Sequence, residues 1–320
     1  MFDTSIPPLL LASQALVVDA DRSLRRRCEH GELHRVRAGV YVAAETWGGL
    51  TYDQRYRVAV HAAGHKLMIG TQFSHDSAVA VWHLPGLGPW PRTVDVLGNQ
   101  SIGGRSSNGV LRHPIGLDTN PVEINNTVVT SLARTVIDFS RTTSFIRAVV
   151  AMDSALAVPP KGSLRHTNSV PPASTVEIAQ IMERWSESAP GMSRARKVTA
   201  FSTGESQSAG ESVSRVQFLL LGFPPPYLQV PFHDEQGLIG YADFYWPELD
   251  LIGEFDGDVK YLGETYRRGK LPEQVVLAEK RREDRLRRVV QGFARWDWST
   301  ARDQRHLAAR LAPHGLIALR

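Results

Sequence analysis

The segment "LIGEFDGDVKYLG", residues 251–263, crowds Glu254, Asp256, Asp258 and Lys260 against an apolar run. Acids are poor strand formers and costly to bury without partners. Two explanations compete: a tight turn built on Asp256-Gly257, or acids assembled to hold a cation for hydrolysis. The second needs another carboxylate, and Asp243 in "LIGYADFYW" supplies one. With Pro247-Glu248 as a two-residue connection, Trp246 pairs with Leu249, Asp243 with Ile252 and Tyr241 with Glu254. Alternation then sets Asp243, Glu254 and Asp256 on one face, with Phe244, Trp246, Leu249, Leu251 and Phe255 on the other. Asp243 and Glu254 become diagonal neighbours, roughly 6–8 Å apart at Cβ. Such oxygens select Mg2+ or Mn2+, an ion that activates water and neutralises a phosphodiester. Lys260 could stabilise the pentacoordinate phosphate. Glu211 could add a ligand, although Ser208-Ala209-Gly210-Glu211 equally spells a capping box.

The elements that position these residues are legible around them. "SAGESVSRVQFLLLGF" reads as a helix with Val213, Val216, Leu219 and Leu220 on one stripe, and "YLQVPFHD" as a strand closed by a turn at 235–237. A helix from Pro272 to Gln291 carries Lys280, Arg281, Arg282, Arg285, Arg287 and Arg288. Glu283–Arg287 and Asp284–Arg288 are favourable i,i+4 pairs. The surplus charge, Lys280 and Arg281 included, could bind phosphate beside an acidic site that would otherwise repel DNA.

Towards the N-terminus, residues 8–18 ("PLLLASQALVV") and 19–29 ("DADRSLRRRCE") read as two helices, Asp19 or Asp21 capping the second. "ELHRVRAGVYVAA" follows as a strand pair turning at Ala38-Gly39. Short helices ending in a hairpin are the layout of a winged helix-turn-helix over residues 1–50. Arg22, Arg25, Arg26 and Arg27 on the second helix, with Arg35 and Arg37 flanking the wing, are candidates for phosphate or guanine contact. A solvated arginine face is the alternative.

From 51 to 157 the chain mixes helices ("TYDQRYRVAVHAAGH", "FSHDSAVAVWHLPG", "SLARTVIDFSR", "FIRAVVAMDSALA") with a strand, "RTVDVLG". His61 and His65 have a zinc-like spacing but no third ligand, and Arg134 with Asp138 braces a helix. Residues 158–204 open with two Pro-Pro pairs and read as a linker followed by two bridging helices; 205–320 form the last unit. The composition is globular, 42% hydrophobic and 22% charged, with a formal charge of +4 that permits nucleic acid without demanding it. One cysteine, Cys28, excludes an internal disulfide and fits a reducing compartment. The apolar run 7–18 is too short to span a bilayer, so the expectation is a cytoplasmic protein without a membrane partner.

Asp243, a ten-residue gap and Glu254-Phe255-Asp256-Gly257, after a helix bearing Glu211, resemble the PD-(D/E)XK nuclease superfamily. The tail "EKRREDRLRRVVQGFARWDW" resembles the closing helix, Gly turn and final strand of its very-short-patch-repair (Vsr)-like branch. Upstream, "GELHRVRAGVYV", "SHDSAVAVWHLPG" and "ARTVIDFSR" are similar to actinobacterial proteins of the AbiEi antitoxin type. The resemblance implies an α/β multidomain chain: a winged helix-turn-helix, an antitoxin-type middle α/β domain and a C-terminal restriction-endonuclease-like α/β domain. It implies a DNA-binding regulator or defence protein. An active Mg2+- or Mn2+-dependent endonuclease and a module binding a cognate toxin are the alternatives. One departure stands out. The superfamily places Lys two residues after the Glu, where this chain has Asp256, with Lys260 a candidate migrated substitute for a catalytic set of Asp243, Glu254, Asp256, Lys260 and Glu211.

Overall fold

Apolar alternation builds the first sheet. A computed structural model describes residues 6–13, 20–98, 108–159, 165, 170–257 and 272–318. Strand β1 (Leu10–Leu11), helix α1 (Ala20–Glu29), β2 (Leu33–Arg37) and β3 (Val40–Ala43) form a three-stranded antiparallel sheet of order β1-β3-β2 with one helix against it. The helix expected over 8–18 is replaced, in its described part, by a strand: Leu10 pairs with Tyr41 and Leu11 with Val40. Burial decides this. Leu11 packs with Val40 and Ala62, the last from α3 (Tyr52–Gly64), while Leu24 of α1 packs with Leu33 and Tyr41 on the opposite face. The sheet is therefore covered on one side by a helix lying beyond residue 50. Thr51 starts that helix with a capping box to Gln54.

The middle of the chain contains α2 (Ala44–Gly49), α4 (His75–Val81), a parallel pair β4 (Val94–Leu97) and β5 (Val110–His113), and a hairpin β6 (Val122–Ile124) and β7 (Thr127–Val129). Asn125 and Asn126 both hold positive φ in the hairpin turn, the conformation Asn tolerates best among side-chain-bearing residues. Helices α5 (Leu132–Thr142) and α6 (Phe145–Leu156) complete the sequence-expected elements. The stretch 158–204 is not a spacer throughout. Its helices α7 (Thr175–Glu183) and α8 (Met192–Phe201) bury Ile178, Met182, Met192, Ala195 and Val198 in one core with Val136, Ile137, Val149 and Met152. Arg165 donates to the carbonyls of Ser154, Ala155 and Ala157, capping α6.

The last unit is a four-stranded mixed sheet of order β11-β10-β9-β8: β8 (Tyr227–Asp234), β9 (Gly237–Trp246), β10 (Leu251–Phe255) and β11 (Gly292–Trp296). On one face α9 (Ala209–Leu221), α11 (Trp298–Ala301) and α12 (Gln304–Leu311) cover Phe244, Trp246, Leu251 and Trp296. On the other, α10 (Pro272–Val289) places Leu286 against Ile252 and Phe293. The chain is thus mixed α/β with several small sheets. No helix among the described residues is long and apolar enough to cross a membrane.

Candidate functional site

The β9–β10 connection has four residues rather than two. Pro247 opens a 3-10 turn through Leu249, and Asp250 closes it at φ 42. Asp250 is fixed there by accepting from Tyr245 Oη (3.0 Å) and from Gln291 N–H (2.9 Å). Pairing therefore runs Leu251 to Trp246, Ile252 to Tyr245 and Gly253 to Phe244, two residues off the expected register. A shift of two leaves every side chain on its expected face, because the side-chain period is two. It also moves Asp243 from diagonal to directly opposite Glu254. The ladder ends there: Phe255 N–H donates to Asp243 Oδ2 at 2.9 Å.

Glu254 is buried and takes guanidiniums on both oxygens. Arg282 of α10 donates to Oε1 at 2.7 Å and Arg295 of β11 to Oε2 at 2.7 Å. The same arginines bind Glu279 at 3.0 and 2.7 Å, and Arg295 reaches Glu283 at 3.2 Å. Burial opposes the charge on Arg282 and Arg295, and the hydrogen bonds and charges of Glu254 and Glu279, with Glu283 for Arg295, together outweigh it. Gly240 leaves the passage: a Cβ there would lie 2.8 Å from Arg282 Nε. Asp256, expected in the catalytic set, is more exposed and sits 4.0 Å from Arg295.

Glu211 lies in the first turn of α9. Ser208 Oγ donates to its Oε1 (2.8 Å) and Gln207 N–H to its Oε2 (2.8 Å), while Glu211 N–H donates back to Ser208 Oγ. Ser208 therefore caps the helix as expected, but the box is not completed: the Glu211 carboxylate accepts from Gln207 N–H and Ser208 Oγ instead of from Ser208 N–H. Gln229, at positive φ in β8, extends its amide to Glu211 (3.2 Å) and Asp243 (3.5 Å). Burial pushes both carboxyls upward, reinforced by Asp243 for Glu211 and by Glu254 for Asp243.

This donor set does not fit a divalent ion. Both Glu254 oxygens accept charged donors, Asp243 Oδ2 closes the strand ladder, and both Glu211 oxygens accept hydrogen bonds from Ser208 Oγ and Gln207 N–H at the head of α9. Among the described residues, no three His, Cys, Asp or Glu side chains are grouped to hold a metal ion. Lys260, expected to serve the acids, lies outside the described residues.

The basic candidates divide. Arg22, Arg25, Arg26 and Arg27 all stand exposed on α1, Arg27 bound to Glu32 at 2.9 Å, and Arg35 is exposed on β2. Arg37 instead reaches the carbonyl of Asn108 at 2.5 Å and is partly covered, tying the hairpin to the middle layer. Lys280 and Arg281 are exposed on α10. His61 is buried against Thr127 Oγ1 (2.6 Å), and burial drives its pKa down to about 4; it packs in the interior rather than on the helix surface expected for a histidine pair without a third ligand.

Sequence reasoning missed a polar centre in the middle layer. His75, at φ 48, stacks on His113 with ring centroids 3.6 Å apart, and His113 Nε2 meets Asp95 Oδ1 at 2.8 Å. Beside it the expected Arg134–Asp138 pair forms at 2.8 Å, with Asp138 fully buried and its pKa lifted by burial to about 6 despite that partner. Arg141 lies 3.6 Å over the Trp185 ring. The signal was "SHDS": four polar residues opening an otherwise apolar helix.

No family model matches this chain. It is similar to two proteins described as uncharacterized, from two strains of Mycobacterium tuberculosis. Each is 28% identical over 277 residues, covering 80% of this chain and 89% of the relative.

Proposed function

We propose that this chain is a DNA-binding regulator of the antitoxin type, with a winged N-terminal unit that contacts duplex DNA and a C-terminal nuclease-like layer that does not cut. The observation carrying the first part is the outer face of α1. Four arginines are exposed there, while Leu24 anchors the helix to the sheet, and the β2–β3 hairpin beside it carries exposed Arg35. A short helix fixed by one apolar side and followed by a hairpin can lay its basic side along a groove. The second part rests on Glu254, whose oxygens are occupied by Arg282 and Arg295.

The test is binding by the full chain. Replacing Arg22, Arg25 and Arg26 together by alanine should weaken binding to duplex DNA and make its salt dependence shallower, by about one unit of slope per lost phosphate contact. Unchanged affinity and slope would reduce these arginines to a solvated face. The rival reading, a Mg2+- or Mn2+-dependent endonuclease, draws on Asp243 standing opposite Glu254 with Glu211 close by. Nicking of plasmid by the wild-type chain with either ion, lost in Asp243→Asn, would establish it and overturn the non-cutting part.

A further inference from the structure

Helix α10 divides its charge between two sides. Towards the sheet, Arg282 and Glu279 join the network around Glu254, Arg285 grips Asp234 with two hydrogen bonds, and Leu286 enters the core. Away from it, Lys280, Arg281, Asp284 and Arg288 stand exposed, while Arg287, also exposed, lies over the Phe293 ring of β11 at 4.5 Å. Arg287 is bound to Glu283 at 2.7 Å. The expected Asp284–Arg288 pair is not formed, and among the described residues no ion pair engages Lys280, Arg281 or Arg288. Asp234, already held by Arg285, lies within electrostatic range of Arg288.

We infer that this outer face of α10 is a second contact surface for the phosphate backbone of duplex DNA, separate from α1; the inference rests on the DNA-binding reading above. Three cations lie along a stripe of about 10–12 Å, from the helical rise. A duplex presents a charge about every 1.7 Å along its axis, so several phosphates face a stripe of that length. The acids beneath it, Glu254, Glu279 and Glu283, are bound by Arg282, Arg295 and Arg287, and exposed Asp284 within the stripe offsets one of its three cations, which leaves about two positive charges facing a polyanion. Between Lys280 and Arg288 no aromatic side chain occurs and the apolar residue, Leu286, is buried; exposed Leu277 lies one turn before the stripe and exposed Val289 just after it. A protein partner would favour an aromatic or apolar centre, and single-stranded nucleic acid a stacking platform. The charged stripe itself, with no aromatic or exposed apolar residue inside it, fits backbone contact without base readout.

The experiment compares the full-length wild type, a Lys280→Ala/Arg281→Ala/Arg288→Ala variant and the α1 triple variant by anisotropy on a short random-sequence duplex. Alanine at exposed helical positions keeps the fold, which circular dichroism checks. The α10 variant should lose about 2–3 units of salt slope, so that its affinity falls roughly 40-fold less than wild type between about 50 and 200 mM salt. An α10 variant matching wild type in affinity and slope, while the α1 variant is weakened, overturns the inference and leaves the α1 reading intact. The converse result supports the α10 surface and removes α1. A wild type that binds no duplex sinks both. Equal loss on a single-stranded oligonucleotide and on duplex would overturn the assignment to duplex backbone.

Discussion

Asp243 and Glu211 are two carboxylates pressed towards each other with the amide of Gln229 between them. Burial raises both pKa values, so in the folded state each holds its proton at a pH where the unfolded chain has lost it. The native state then binds more protons than the unfolded one, and stability is lost as pH rises from about 4 to about 7. Asp243→Asn removes that penalty while its amide oxygen can still accept from Phe255 N–H. It should therefore stabilise the protein at pH 8 by about 1 kcal/mol or more, with little difference at pH 4. Urea denaturation at the two pH values measures this. A variant less stable than wild type at pH 8 would mean that the carboxylate is held charged, and a bound cation would return as the explanation.

Among the elements, α10 carries the most conflicting demands, and Arg295 of β11 reconciles them. Its guanidinium meets Glu254, Glu279 and Glu283, so one side chain joins β10, β11 and α10. Arg295→Ala leaves buried Glu254 with Arg282 alone and removes a counter-ion from two helix acids. Breaking a buried pair from one side is costly, and since Arg295 is about a quarter exposed the loss should be about 2–4 kcal/mol. Adding Glu254→Gln should recover part of it. Denaturant melts of the four proteins of that cycle give the coupling, and a coupling near zero would show that Arg295 acts on Glu254 only by packing. The sequence pointed to the surplus of arginines on α10. It did not show which of them turn inward, because the i,i+4 rule considers one helix in isolation, whereas Arg282 reaches Glu254 on β10 and Arg285 reaches Asp234 on β8.

At the scale of the whole molecule, the middle and C-terminal layers are joined rather than tethered. Asp153 of α6 binds Arg215 of α9 at 2.7 Å and accepts Thr203 N–H at 2.9 Å, and Arg215 donates to the Phe201 carbonyl. Val150 of α6 packs in the C-terminal core, and Val216 of α9 in the middle one. Calorimetry should show these layers unfolding in one transition, and Asp153→Ala should lower or split it, since it strands a largely buried Arg215. Two transitions in the wild type would show that the layers unfold independently.

Local pattern determined much of this protein. Helix α9 itself, strand β8 residue for residue, the β2–β3 hairpin, the long basic α10 and the placing of Asp243 and Glu254 on one face all follow from periods of 3.6 and two and from the nearby turn residues. The expected α9 stripe, however, holds only at Val213 and Val216: Leu219 and Leu220 are exposed, and Phe218 and Leu221 are buried in their place against the sheet. Tertiary structure decided what had no local signature. Leu10 and Leu11 became a strand because β3 offered an edge, and the helices after the proline-rich stretch became core because Val136 and Met152 offered an apolar surface. Glu254 met two arginines 28 and 41 residues away instead of an open cation site. A carboxylate's partner is set by which side chains the fold brings within hydrogen-bond distance, and that distance is not written in sequence separation.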